Sequence, residues 1–184
     1  MWRWVLERPR LLLDLGAGGM AWQASGRGLK DWAGRRQWEG LPAQECLRAM
    51  QQEVAELAGQ LPRGCTLEAR LGLDLVPLWL QPPFQGSAHL PDWHQALQAR
   101  AEQLFGPSAD GWWVAADWAI DAPFPAGAGS AAWAEALRGS WPGPVECSAL
   151  SLSLLQRLAA LQGKGDDLCW FVIWQGSQYL MAVW

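Results

Sequence analysis

The sequence predicts one mixed α/β domain in which an antiparallel start is followed by alternating helices and strands. Two observations carry this prediction. Residues 10–38 contain three strand-like runs separated by glycine turns, and residues 42–161 alternate between segments of helical and of strand period. The length of 184 residues is sufficient to bury a hydrophobic core without disulfides.

The opening runs predict a meander of three neighbouring antiparallel strands. Residues 10–15 are a short apolar run, residues 16–19 form a glycine-rich turn, and residues 20–25 return. A second glycine turn at 26–28 leads into a third strand over 29–38. Consecutive short strands joined by such turns usually pair as neighbours in one sheet.

Helical and extended spacing then alternate along the chain. Apolar residues at intervals of three and four predict a helix from Pro42 to residue 60, and strict alternation over 66–80 predicts one bent strand or two short ones, because the phase changes at Pro77. The remaining predicted elements are a helix capped by Asp92 and ending at Gly106, a strand at 112–118, a flexible loop at 123–129, a short helix capped by Ser130, a strand at 145–149, a helix at 151–161 and a terminal hairpin at 168–184.

These elements predict a mixed sheet with helices on both faces. We assign residues 1–165 to a single domain and residues 166–184 to a C-terminal β-hairpin packed on that domain. The short connections and the absence of an internal repeat favour one compact unit.

Charge and hydropathy exclude several classes of protein. A formal net charge of −4 and a pI near 5.1 argue against a nucleic-acid binder, which needs a basic face. No signal peptide and no run of about 18 apolar residues is present, so we expect a soluble cytoplasmic chain. The even number of cysteines allows a disulfide framework, but the positions of Cys46 in an apolar helix stripe and Cys169 in a buried strand favour free thiols.

Tryptophan is over-represented, with 15 residues against one tyrosine and four phenylalanines. Each buried indole needs a partner for its N–H, and a core of this size does not require so many large rings, so some should lie at the surface where interfaces use them. The candidates for binding a partner protein are the four tryptophans near the two ends of the chain: Trp2, Trp4, Trp174 and Trp184. The alternative is compositional drift, in which tryptophan replaces other large residues.

Catalytic and metal-binding patterns are incomplete. The turn at 16–19 precedes a strand, whereas a dinucleotide fingerprint opens a helix, so a plain hairpin turn is the favoured interpretation. His89 and His94 are five residues apart, which does not suit a helical metal pair, and we expect surface histidines. Asp117 and Asp121 flank the end of a strand, where α/β sheets often carry functional sites, and they are a further candidate site.

The segment Leu13-Asp14-Leu15-Gly16-Ala17-Gly18-Gly19, followed by a return strand, resembles the first phosphate motif of the actin-like, ribonuclease-H-like superfamily. The order of elements over residues 10–162 is similar to the opening lobe of that superfamily, and within it the chain looks most like the cytoplasmic actin-like proteins of type IV pilus and type II secretion assembly. The resemblance implies a ribonuclease-H-like fold. It also implies that Asp14, Gly16 and Gly18 occupy the positions that would contact a nucleotide.

The departures from the family pattern argue against catalysis. The second phosphate hairpin would fall at Trp174-Gln175-Gly176-Ser177, where no aspartate stands two residues before the glycine. We therefore predict no enzymatic activity, no required cofactor and no metal site, and a role as a non-catalytic scaffold or adaptor that binds a protein partner through its tryptophan-rich surface. Two alternative functions are left open: an actin-like ATPase or switch that binds ATP with Mg²⁺, and a small-molecule binding module lined by Trp112, Trp113 or Trp118. A homo-oligomer and an indirect association with a membrane are both compatible with the scaffold role.

Overall fold

The structure is a computed structural model. It describes residues 9–26, 29, 32–38, 40–84, 89–119, 122–161, 170–175 and 178–183, with side chains described as far as Leu155. Two compact units are formed, the first within Met1–Arg70 and Trp133–Cys147 and the second within Leu71–Ala132 and Ser148–Trp184. The assignment of residues 1–165 to one domain stays a prediction.

The described elements follow the predicted order, with one additional strand over Phe124–Ser130. They are β1 (Arg10–Gly16), β2 (Gly19–Ser25), β3 (Ala33–Gln37), α1 (Ala43–Gln60), β4 (Thr66–Leu71), β5 (Leu78–Gln81), α2 (Leu90–Phe105), β6 (Trp112–Ala116), β7 (Phe124–Ser130), α3 (Ala131–Ser140), β8 (Val145–Ala149), α4 (Leu150–Leu161), β9 (Trp170–Gln175) and β10 (Gln178–Val183).

A five-stranded mixed sheet in the order β3-β2-β1-β4-β8 organises the first unit. The predicted meander is confirmed, since β1 pairs antiparallel with β2 and β2 with β3, although β3 begins at Ala33 and is shorter than expected. Leu11, Leu13 and Leu15 alternate along β1 and are buried. Helix α1 lies against β2 and buries Cys46, Met50, Val54 and Leu57. The spacing predicted a stripe of Leu47, Met50, Val54, Leu57 and Leu61, of which Leu47 and Leu61 are half-buried.

A three-stranded antiparallel sheet in the order β5-β7-β6 organises the second unit. Helix α2 lies against β6 and β7 and contributes Leu97 and Ala101 to a core that also contains Val114 and Phe124. The change of phase at Pro77 is explained, because the chain from 66 to 81 forms two strands, β4 and β5, that belong to different sheets.

The prediction of a flexible loop at 123–129 is wrong. Residues Phe124–Ser130 form β7, the central strand of this sheet. Glycine and proline suggested a turn, but here they permit close packing: a Cβ at Gly127 would lie 2.6 Å from Leu78 Cδ2, and one at Gly129 would lie 2.7 Å from the Leu75 carbonyl oxygen.

Two smaller differences, and one agreement, concern the ends of elements. Helix α2 begins at Leu90, so Asp92 lies in its first turn and His89 occupies the cap position. The strand predicted at 112–118 ends at Ala116. Ser130 does cap α3, because its Oγ accepts a hydrogen bond from the Ala132 amide at 3.3 Å.

The predicted terminal hairpin is confirmed by the antiparallel pairing of β9 with β10. Its turn, residues 176–177, lies outside the described residues. Within the described part of the chain, no helix combines the length and the apolar character needed to cross a bilayer.

Candidate functional site

The glycine turn between β1 and β2 is tight. Gly16 and Gly19 pair across it, which leaves Ala17 and Gly18 as the two turn residues. Position 19 requires glycine, because a Cβ there would lie 2.5 Å from the Arg36 carbonyl oxygen of β3. The candidate residues Asp14, Gly16 and Gly18 are therefore brought together at one end of the sheet.

Two hydrogen bonds from Trp38 hold this turn in place. Its indole Nε1 donates to the Ala17 carbonyl oxygen at 2.8 Å, and its backbone amide donates to the Gly18 carbonyl oxygen at 3.0 Å. The ring is buried, with 6% of its surface exposed. Both turn carbonyls are thus satisfied within the protein, and the turn has one defined conformation.

Asp14 makes a two-pronged ion pair with Arg70 of β4. Arg70 Nε lies 2.5 Å from Asp14 Oδ1, and Arg70 Nη2 lies 2.7 Å from Asp14 Oδ2. The Arg70 side chain is 15% exposed and that of Asp14 is 40% exposed. Such a fork engages both carboxylate oxygens, so a divalent cation would have to compete with a guanidinium already in place.

As the chain stands, these residues do not fit a magnesium-bound triphosphate. The carboxylate that would hold the metal is already paired with the Arg70 guanidinium. Among the described residues, no group of three or more histidine, cysteine, aspartate or glutamate side chains is arranged to hold a metal ion.

Among the described residues, the other sequence candidates are not brought together into a site. The His94 ring stacks on Trp118 with centroids 5.6 Å apart, while the His89 carbonyl accepts the first amide hydrogen bonds of α2. The Asp117 amide donates to the Pro125 carbonyl oxygen at 3.0 Å, and Asp121 lies outside the described residues.

A network of aromatic rings in the second unit was not foreseen. Trp93 contacts Phe84 and Trp118 at centroid distances of 5.6 and 5.7 Å, and Trp118 contacts Phe124 at 5.9 Å. The rings pack on one another and on the core, which does not favour Trp118 as the wall of a ligand pocket. The sequence signal that could have indicated this network was the helical spacing of Trp93 and Leu97.

A second group of contacting aromatic rings lies at the C-terminal end of α2. Phe105 contacts Trp79 at 6.1 Å and Trp112 at 5.8 Å, and Trp112 Nε1 donates to the Gly106 carbonyl oxygen at 3.1 Å. Trp113 follows Trp112 in β6, so its side chain points to the opposite face of the sheet. The adjacent pair therefore does not wall a common pocket.

The described tryptophans divide into buried and half-buried rings. Trp38, Trp93 and Trp141 are buried. Seven others are half-buried: Trp22, Trp32, Trp79, Trp112, Trp113, Trp118 and Trp133. Of the four predicted partner-binding residues, Trp2, Trp4 and Trp184 lie outside the described residues, and so does the side chain of Trp174 in β9.

On one face of the three-stranded sheet, every described paired position is occupied by an apolar residue or by glycine. The strand register places Leu78 and Leu80 of β5, Pro125 of β7, and Ala115 and Trp113 of β6 on this face. Leu80 is 68% exposed, the largest exposure among the described large apolar side chains. This face, from Leu80 to Trp113, is called the apolar sheet face below.

Cys46, Cys65 and Cys147 are free thiols. Burial raises the pKa of Cys65 and, to a degree offset by the charge of Arg138, the pKa of Cys147. Both thiols are therefore protonated and unreactive at neutral pH. Cys169 lies outside the described residues.

No protein-family model matches the chain, and no curated protein matches it. Solved structures do. A Bacteroides thetaiotaomicron protein with an actin-like ATPase fold and unknown function matches with a TM-score of 0.66 and 8% identity, over 97% of this chain and 66% of that one.

Two further matches are parts of bacterial machines. The cytoplasmic domain of EpsL, an inner-membrane component of the type II secretion system of Vibrio cholerae, matches with a TM-score of 0.56 and 11% identity, over 94% of this chain and 66% of that one. A chain of the PilM–PilN type IV pilus biogenesis complex matches with a TM-score of 0.56 and 20% identity, over 95% of this chain and 60% of that one.

At these identities the likeness concerns the fold. The chain spans between 60% and 66% of the length of the structures it matches. The expected ribonuclease-H-like, mixed-sheet architecture is confirmed. The chain has the actin-like fold, and it resembles the actin-like proteins of type IV pilus and type II secretion assembly.

Proposed function

We propose that the chain is a non-catalytic scaffold or adaptor subunit of a bacterial pilus- or secretion-type assembly, working in the cytoplasm and binding a protein partner through an aromatic and apolar surface. The observation that carries the non-catalytic part is the ion pair of Asp14 with Arg70. The fold shared with EpsL and with a chain of the PilM–PilN complex supports the role in an assembly.

The apolar sheet face is the surface that best suits a protein partner. It includes the half-buried Trp113 and the exposed Leu80 and carries no charged side chain at its described paired positions. Interfaces combine a tryptophan anchor with surrounding apolar area in this way. The loop at Leu75 covers Gly129 but leaves Leu80 in solvent.

The partner is tested by in-cell crosslinking of a tagged chain produced at its natural level. We expect the wild-type chain to crosslink to a component of a pilus or secretion apparatus, and the Leu80→Asp variant to lose that product because a charge enters the apolar contact. Leu104→Asp is the matched control, since Leu104 is also exposed but lies on α2, against the other face of the sheet. Equal crosslinking by both variants would refute this surface.

Calorimetry tests the absence of nucleotide chemistry. ATP with Mg²⁺ at millimolar concentration should give no saturable heat and no rise in melting temperature, because a ligand that binds the native state must stabilise it. A clear rise in melting temperature that disappears in Asp14→Asn would instead support the nucleotide-switch alternative.

A further inference from the structure

The outer edge of β3 carries an unusual concentration of positive charge. The strand reads Ala33-Gly34-Arg35-Arg36-Gln37 and is the last strand at one end of the five-stranded sheet. It contains two arginines and no acidic residue in a chain whose net charge is −4. All of its residues except Gly34 are exposed.

Two backbone hydrogen bonds establish which groups of β3 face outward. The Ala24 amide donates to the Trp32 carbonyl oxygen at 2.8 Å, and the Trp38 amide donates to the Gly18 carbonyl oxygen at 3.0 Å. Hydrogen-bonded pairs alternate along an antiparallel ladder, so Gly34 and Arg36 also bond to β2. The N–H and C=O groups of Ala33, Arg35 and Gln37 therefore point away from the sheet, where a further strand would pair.

The charge of this edge is neutralised only in part, at Arg36. Arg36 Nε lies 3.2 Å from Glu53 Oε2 of α1, in a pair whose arginine side is 65% exposed. Asp14 shares a face and a row of the register with Arg35, but its carboxylate is held by Arg70. Arg35 has no carboxylate partner among the described residues.

A second copy of β3 is a poor occupant of the edge. Symmetric antiparallel pairing over all five residues of the strand would place Arg35 directly opposite the Arg35 of the other copy. Like charges in directly opposed positions destabilise a strand pair, whereas opposite charges stabilise it.

We propose that the edge of β3 binds an extended, acidic segment of another protein by strand addition. Backbone groups at Ala33, Arg35 and Gln37 form the ladder, and Arg35 selects a carboxylate on the incoming strand. The proposal concerns the first unit and does not rest on the assembly role or on the apolar sheet face.

The experiment uses the purified full-length chain and fluorescence anisotropy. The probe is the peptide Thr-Glu-Val-Glu-Val-Glu-Thr-amide with fluorescein on its N-terminal amine, and its counterpart has lysine in place of each glutamate. We expect saturable, salt-sensitive binding of the acidic peptide and none of the basic one. Binding of both peptides, or of neither, overturns the proposal.

Two variants separate the contribution of the backbone amides to peptide binding from that of the positive charge. Arg35→Glu keeps the outward amide but reverses the charge, and should weaken binding by about tenfold. Ala33→Pro keeps both arginines but removes one outward amide, and proline is tolerated at such an edge position. It should weaken binding by a similar factor, while unchanged near-ultraviolet circular dichroism shows that the fold persists.

Arg63→Glu is the matched control, because Arg63 is exposed in the turn before β4 and the same charge reversal there should leave binding unchanged. Hydrogen exchange provides a second measurement. The peptide should slow exchange at the Arg35 amide, whereas the amides of Gly34 and Arg36 already bond to β2 and should change little. Equal loss of binding in Arg63→Glu and Arg35→Glu would show that peptide binding depends only on the net charge of the protein, and would contradict the proposal.

Discussion

Arg70 and Asp14 show how one side chain changes the chemistry of a familiar turn. The aspartate lies in the strand that leads into the glycine turn, and its two oxygens face a guanidinium on the neighbouring strand. The two residues belong to strands that are far apart in the sequence, β1 and β4. Their contact could not be predicted from spacing alone, because it depends on β4 lying beside β1.

A double-mutant cycle measures this contact. Asp14→Ala and Arg70→Ala, alone and together, should give a coupling free energy of about 1 kcal/mol, because a fork in a half-buried setting exceeds a typical surface pair. The same cycle at Arg36 and Glu53, whose arginine is 65% exposed, should give about 0.3 kcal/mol. Urea denaturation supplies the four free energies of unfolding, and equal couplings at the two pairs would contradict the argument.

The buried thiols predict a loss of stability in alkali. Burial raises the pKa of Cys65 and of Cys147 above the ordinary thiol value, so the folded chain retains protons that the unfolded chain releases. Their contribution is complete below the unfolded pKa, and the free energy of unfolding falls as pH rises above about 8.5.

Urea midpoints measured across that range should show the decline. The Cys147→Ser variant should show a shallower one, since it removes one of the two groups. An identical slope in the variant would assign the effect to other titrating residues.

At the level of elements, β7 is the clearest case in which tertiary packing overrides a local signal. Phe124-Pro-Ala-Gly-Ala-Gly-Ser130 has the composition of a loop, yet it is the central strand of its sheet. Glycine is required because the chain near Leu75 and Val76 crosses closely over the strand. This close contact leaves no periodic pattern within the segment, so the sequence could not predict it. In contrast, α1, β1 and β4 were predictable because the apolar residues within each element recur at helical or strand spacing.

Two glycine substitutions should act in opposite directions. Gly129→Ala should lower the free energy of unfolding by about 1–3 kcal/mol, because the new methyl group would overlap the Leu75 carbonyl oxygen. Gly59→Ala in α1 should raise it by roughly 0.5–1 kcal/mol, because nothing lies within 4 Å of the new atom and alanine favours a helix. Thermal or urea unfolding of both variants decides, and destabilisation of both would show that the close approach at β7 is not the cause.

Apart from β7, the order of the described elements was predictable, because the periodicity of the apolar residues and the glycine turns mark most of the helices and strands. The division of the strands into separate sheets was not, since the sequence shows where strands occur but not which strands share hydrogen bonds. The partner-binding tryptophans near the chain ends stay a prediction. The rings that the structure describes point to an additional surface at Trp113.

Hydrogen exchange should follow the position of each strand within its own sheet. In the first unit, amides of β1 should exchange far more slowly than those of β3, and in the second unit amides of β7 should outlast those of β5. Exchange followed by mass spectrometry of peptic fragments measures this directly. Rapid exchange throughout β7 would contradict its assignment as a central strand.

The guanidinium at the glycine turn has a consequence for how the molecule responds to its surroundings. A covalently attached cation cannot be chelated, diluted or exchanged for another ion. Chelators such as EDTA and changes in cellular magnesium should therefore leave the geometry around Asp14 unaltered.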